Sequence, residues 1–161
     1  SVSRALVATV KTRKTTTEEE KEIITAWQYA GQYAIYNTTP YAEQKKQGVG
    51  FANPKNNFYS FFDHDTLVGF INLYEEPTEV FFGIGVRPDA CGRGYGQQMT
   101  KAACDLSGRL FPGKPLYLEV RTWNARAVRC YEKAGFRITG EPIRQTTAAG
   151  DGVFYHMVRK I

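Results

Sequence analysis

VRPDACGRGYGQQMTKAACDL, residues 86–106, sets three alternating glycines, Gly92, Gly94 and Gly96, between a strand-like run ending at Val86 and a good helical pattern. A strand that passes through a glycine turn into a helix presents unpaired backbone N–H groups and the positive end of the helix dipole to an anion. Glycine allows the positive φ of such a turn and, having no Cβ, lets a phosphate come close. A tight turn that merely reverses the chain is the plainer account of the same residues. Two phosphate-binding patterns fail on the letters. A Walker A loop needs Gly-Lys-Ser/Thr, whereas Gly96 is followed by Gln97-Gln98. The spacing G-x-G-x-x-G is not met, and the region about twenty residues further on, Pro112-Gly113-Lys114-Pro115-Leu116, lacks the acidic residue that a nucleotide ribose would want.

Working outward, residues 79–86 read as the strand before the turn, and Met99, Ala102, Ala103, Leu106 and Leu110 share one face of the helix after it. Pro115 to Val120 is a strand, and Asn124 caps a helix that Gly135 stops. Upstream, Ala5 to Val10 alternates as a first strand. Thr17-Glu18-Glu19-Glu20 is a capping-box start. The helix it opens is predicted to run to about Tyr36, with Ile23, Trp27, Ala30 and Ala34 on one face; Trp27 suits core packing or a substrate wall. Tyr41 to Gln47 forms a short second helix, and NNFYSFFDHDTLVGFINLYEE, residues 56–76, a hairpin around Asp63-His64-Asp65. Two last strands, about Arg137 to Gln145 and Val153 to Arg159, are joined at Gly150-Asp151-Gly152. The fold class is α/β, a central mixed, mostly antiparallel sheet of about seven strands flanked by about four helices, in a single domain over residues 1–161.

Composition narrows the function. Apolar residues make up 42% of 161 residues, too many for a disordered chain, and no apolar run is long enough to span a bilayer. The amino terminus lacks the pattern of a targeting segment, which makes the cytoplasm the expected compartment. Three cysteines, Cys91, Cys104 and Cys130, fall in no metal-binding pair, and His64 and His156 stand alone, so no metal is expected. The net charge of +5 is concentrated: residues 84–137 hold ten Lys/Arg against four Asp/Glu. Scattered singly and without a nucleic-acid motif, these cations suit a phosphate-bearing small molecule better than nucleic acid. No membrane partner is expected, and oligomeric state is not legible.

A third pattern, Q/R-x-x-G-x-G/A, is met in its second half by Gly94-x-Gly96, and a second block, LEVRTWNARAVRCYEKAGF at 118–136, stands one helix later. Together the blocks resemble the GNAT superfamily of acetyl-CoA-dependent N-acetyltransferases, most closely its ribosomal-protein alanine N-acetyltransferase branch. The departure is Cys91, where the family usually has Gln or Arg helping to shape the turn. A small packed thiol and a reactive one are both open readings of Cys91.

The resemblance implies acetyl-CoA as cosubstrate, with Ile84, Gly85 and Val86 along its pantetheine arm and Gly92, Arg93, Gly94, Tyr95, Gly96 and Gln97 around its pyrophosphate. Asn124 would bond the cofactor as well as cap its helix. The implied reaction is direct attack of a primary amine on the thioester, with no covalent enzyme intermediate. An alkyl ammonium with a pKa of about 10.4 must first lose a proton. Glu119, on the strand face opposite Leu116, Leu118 and Val120, resembles the branch's base, and Glu79 competes with it. Tyr131 matches the tyrosine of Asn-x-x-Ala-x-x-x-Tyr, the acid for the departing thiolate, and the oxyanion would meet a backbone N–H near Val86. The acceptor could be a small amine, an aminoglycoside or a protein N-terminus. The alternative function is a catalytically silent acetyl-CoA sensor.

Overall fold

The computed structural model describes residues 10–13 and 15–160. Seven strands form one sheet in the order β1-β2-β3-β4-β5-β7-β6. They are β1 Val10–Arg13, β2 Asn57–Asp63, β3 Thr66–Glu75, β4 Val80–Val86, β5 Leu116–Arg121, β6 Arg137–Thr147 and β7 Gly150–Arg159. Four α-helices accompany them: α1 Glu18–Thr25, α2 Tyr41–Gln47, α3 Tyr95–Leu110 and α4 Ala125–Lys133. All neighbouring strands are antiparallel except β4 and β5, which are parallel and joined through α3. The expected first strand lies mostly outside the described residues, and only its last residue, Val10, falls in β1.

The strands alternate faces, so one sequence builds two cores. Tyr59, Phe61, Ile71, Leu73, Val80, Phe82, Leu118 and Val120 pack with Met99 and Ala103 of α3 and Val128 of α4. On the other face Ile24, Tyr41, Phe51 and Leu67 gather Trp27, Phe58 and Phe70, with Phe51 stacked on Phe58 at 4.1 Å. The capping box at α1 forms as expected, Glu20 N–H donating to Thr17 Oγ1 at 3.2 Å and Thr17 N–H to Glu20 Oε1 at 3.0 Å. The buried Ser60 hydroxyl lies 2.8 Å from the same carboxylate and ties α1 to β2.

Two expectations are corrected. The helix begun at Thr17 ends at Thr25 instead of near Tyr36, because Thr25 Oγ1 turns back to Lys21 O at 2.9 Å and accepts Tyr41 N–H at 3.0 Å. Ile24 is buried there and Ile23 exposed, so the helical face read from Ile23 is not the core face. Residues 27–30 lie in no regular element and lead, through an extended Ala30, into a 3-10 turn, Gly31–Tyr36, opened by Gly31 at φ 61°. The last hairpin turns at Ala148-Ala149, with Thr147 paired to Gly150, so Gly150 to Gly152 belong to β7. Thr147 Oγ1 holds that turn, donating to Gly150 O at 2.9 Å and accepting Ala149 N–H at 3.2 Å.

Gly85 has a role the sequence did not suggest. It pairs with Phe70, and a Cβ on Gly85 would stand 2.3 Å from Phe70 Cε1. At Gly83 the nearest atoms to such a Cβ would be 3.6 Å away, an ordinary contact. Gly85→Ala should therefore cost about 1–3 kcal/mol by displacing Phe70 from its cluster, whereas Gly83→Ala should cost well under 1 kcal/mol. Urea melts of the two variants measure this, and equal midpoints would remove the role assigned to Phe70.

The first turn of α3 is fastened by Tyr95, whose hydroxyl donates to the Asp63 carboxylate at the end of β2. That bond, and then His64, hold Asp63 below its ordinary value of 3.8. A carboxylate lowered in the fold contributes stability that is present above its ordinary value and is lost as pH falls through the folded one. An acid titration of stability should show this loss from pH 3.8 downward, and Tyr95→Phe should flatten it. An unaltered acid limb in Tyr95→Phe would show that the bond contributes nothing.

Candidate functional site

Pairing between β4 and β5 stops after Val80 with Leu116 and Phe81 with Tyr117. Val80 N–H donates to Pro115 O at 2.9 Å, and main-chain groups alternate direction along a strand. The N–H and C=O groups of Phe82, Ile84 and Val86 thus face β5 and, past the last pair, look into the gap between the strands. By the same alternation Gly85 gives its main-chain groups to β3. A cavity of about 830 Å³ occupies the gap.

The glycine turn forms the far end of this cavity. Gly92 and Gly94 have φ of 80° and 87°, conformations that glycine adopts without strain, and open space lies where their side chains would be. Gly94 is the N-cap of α3, no side chain caps the helix, and the first bond back to it is Gln98 N–H to Gly94 O at 3.3 Å. The N–H groups of Tyr95, Gly96 and Gln97 are consequently left for an anion. Arg126, Arg129 and Lys133 of α4 line the same cavity.

Of the cofactor-binding residues that the resemblance implies, Arg93 alone stays outside the lining, with an exposed side chain. Tyr95 lines the cavity but commits its hydroxyl to Asp63, leaving its backbone for a ligand. Cys91 sits half-buried with Sγ 3.5 Å from Arg87 O. Burial pushes its thiol up, opposed by Arg126, so it is a packed thiol and not an activated one. Asn124 accepts Ala127 N–H at 3.3 Å as the cap of α4 and donates to the Tyr36 hydroxyl at 3.0 Å.

Glu119 and Tyr131 line the cavity; Glu79 does not. Glu119 accepts from the side-chain amide of Gln145 on β6. Tyr131 lies edge-on to Phe136 at 6.0 Å, and its hydroxyl makes no hydrogen bond among the described residues. Burial, with smaller contributions from Cys130 and Tyr36, pushes its phenol up, so it keeps its proton. His64 is exposed in its turn, and His156 bonds Thr139 at 2.7 Å outside the cavity.

Sequence reading missed two contributors. Tyr29, placed by the early end of α1, donates its hydroxyl to Val86 O at 2.6 Å and walls the gap. Its partner is 57 residues away, and no local pattern marks it. Arg121, on the face of Glu119, is 6% exposed; its guanidinium lies over Phe154 at 4.7 Å and donates to Thr147 Oγ1 at 3.3 Å. Its place two residues after Glu119, at the end of the strand and so on the same face, is the signal that could have found it.

These features fit a long ligand with a polyanionic end: a helix start without caps, nearby cations, and strand main chain facing a slot. Among the described residues no cluster of His, Cys, Asp or Glu could hold a metal ion, and no helix is long and apolar enough to cross a membrane.

Comparison with known proteins gives the same picture. The chain is similar to the peptidyl-lysine N-acetyltransferase YjaB of Salmonella typhimurium, 27% identical over 133 residues, 81% of this chain and 86% of that one. It is also similar to the N-alpha-acetyltransferase RimI of Mycobacterium tuberculosis, 32% identical over 99 residues, 55% of this chain and 57% of that one. In fold it resembles the spermidine N-acetyltransferase of Vibrio cholerae in complex with CoA and spermine, at TM-score 0.76 and 19% identity over 92% and 94% of the two chains. It likewise resembles the aminoglycoside acetyltransferase AAC(6')-Ib in complex with coenzyme A and kanamycin, at TM-score 0.73 and 20% identity over 94% and 95%. Residues 21–136, from within α1 through the glycine turn to the end of the LEVR block, match the model of the acetyltransferase (GNAT) family, and the chain is an N-acetyltransferase belonging to that family.

Proposed function

We propose that the protein transfers an acetyl group from acetyl-CoA directly to a primary amine, with Glu119 as base and Tyr131 as acid. The observation that carries this reading is that Glu119, Tyr131 and the uncapped start of α3 all open on one cavity. Bound acetyl-CoA supplies the acetyl group as an activated thioester. The N–H groups from Gly92 to Gln97 and the cations of α4 would hold its phosphates, and the main chain of Ile84 and Val86, with Asn124, would bond its arm. Gly85 contributes by having no side chain to fill the slot.

Glu119 accepts a proton from the acceptor's ammonium, and the Gln145 amide keeps the carboxylate oriented toward it. Tyr131, protonated and with a free hydroxyl, gives its proton to the departing sulfur. The freed amine bonds to the acetyl carbon as the carbon–sulfur bond breaks, its nitrogen's second proton leaves to solvent, and the proton held by Glu119 returns through solvent to Tyr131. A base–acid pair in these positions is what the resemblance to the ribosomal-protein alanine branch implies, and the similarity to RimI supports that branch. Among the described lining residues Glu119 is the one carboxylate against Arg121, Arg126, Arg129 and Lys133.

Tyr131→Phe should lower kcat by about 10²-fold or more while acetyl-CoA affinity, read by calorimetry, stays within about twofold. An unchanged kcat would remove Tyr131 as the acid. Glu119→Gln should abolish the rise of kcat/KM with pH, measured as thiol release, and a preserved profile would transfer the role to another base or to water.

A further inference from the structure

Arg121 is the charged group of the cavity that the transfer chemistry leaves unused. It stands two residues from Glu119 on the same face of β5, about 7 Å along the strand. Its side chain is buried, lines the cavity, and has no carboxylate within ion-pair distance among the described residues. Of its five N–H donors, one reaches Thr147, and the nitrogens that bond nothing among the described residues are not sealed off but open on the cavity. Holding a guanidinium at 6% exposure costs desolvation, which an anion entering the cavity would offset.

The fold makes room for that cost. Gly152 of β7 is not in the left-handed region, so its backbone does not require glycine. A Cβ there would stand 2.1 Å from Arg121 Nη1 and 3.1 Å from Cζ. Gly152 is thus the seat of the guanidinium, and Phe154 beneath it holds the plane by stacking. The phosphates of the cofactor are provided for elsewhere, at the start of α3 and by the cations of α4. Arg121 has neighbours of a different kind: Glu119, the Tyr36 phenol, and the β6 hydroxyl of Thr147.

We propose that Arg121 receives a carboxylate carried by the acceptor, and that the acceptor class is an amino acid whose amine meets Glu119 while its carboxylate meets Arg121. This rests on the transfer reading. Carboxylate and guanidinium can pair through two parallel hydrogen bonds, which would fix the amine's direction as well as its place.

The test compares the twenty standard L-amino acids with their α-amides, each titrated by calorimetry into the CoA-loaded protein. An amide keeps the amine and side chain and, like a peptide N-terminus, lacks the charge. At least one acid should bind tenfold or more tightly than its amide. That ratio should fall to near one in Arg121→Gln, where differences in amine basicity between the probes cancel. Gly152→Ala, which keeps the arginine but displaces it, should narrow the ratio too and serves if Arg121→Gln does not fold. If no acid exceeds its amide by that factor, including the case in which none binds at millimolar concentration, the proposal is overturned; so it is if the preference survives both variants. CoA release after loading with acetyl-CoA judges the transfer reading separately. Acid-selective binding without release removes transfer and keeps the recognition, and release with acids and amides alike does the reverse.

Discussion

Two residue pairs join β4 to β5, and the working part of the molecule depends on the seam ending there. Parallel strands need a crossover, and here α3 supplies it, which carries the glycine turn to the open end of the seam. Past Phe81 the main chain of β4 has lost its neighbour on one side, yet buried N–H and C=O groups need partners. Tyr29 answers for the Val86 carbonyl. A ligand lying in the slot can answer for the others. The separation that weakens the sheet is therefore what creates the binding surface, and the two cores on either face keep the strands from closing it.

Local signals carried most of the architecture. The capping box at Thr17, the short helix at Tyr41, the hairpin at Asp63-His64-Asp65 and the Asn124 cap are each decided within a few residues and appear where the sequence puts them. What went astray was decided at a distance. Thr25 ends α1 by bonding a residue sixteen positions later, and the last turn slipped because Thr147 organises it ahead of the glycines. The resemblance implied Gly85 along the cofactor's arm, and it is equally a place kept clear for Phe70 across the ladder. The site shows the same division. The glycine turn and the LEVR block were legible as spacings, whereas Tyr29 on Val86 and Gln145 on Glu119 are contacts between segments that carry no mark of each other.

The basic stretch between residues 84 and 137 also resolves into parts. Arg126, Arg129 and Lys133 fall on the cavity side of α4. Lys114 is spent on Glu75 at 2.7 Å, and Arg87 on Asp89. Net charge along a sequence thus overstated the field at the site while giving its sign correctly, since only the arginines and lysine that a helix or strand turns inward act on a ligand at short range.

The match to the family ends at Phe136. The side chains that reach Glu119 and Arg121, namely Gln145, Thr147 and Phe154, and the glycine that seats the guanidinium, all lie in the β6–β7 hairpin beyond it. Glu119 and Arg121 thus stand in the matched segment, and the side chains that touch them come from a hairpin at the sheet's margin. Such a division lets a short peripheral element reset the surroundings of Glu119 and Arg121 while the glycine turn at the start of α3 stays as it is.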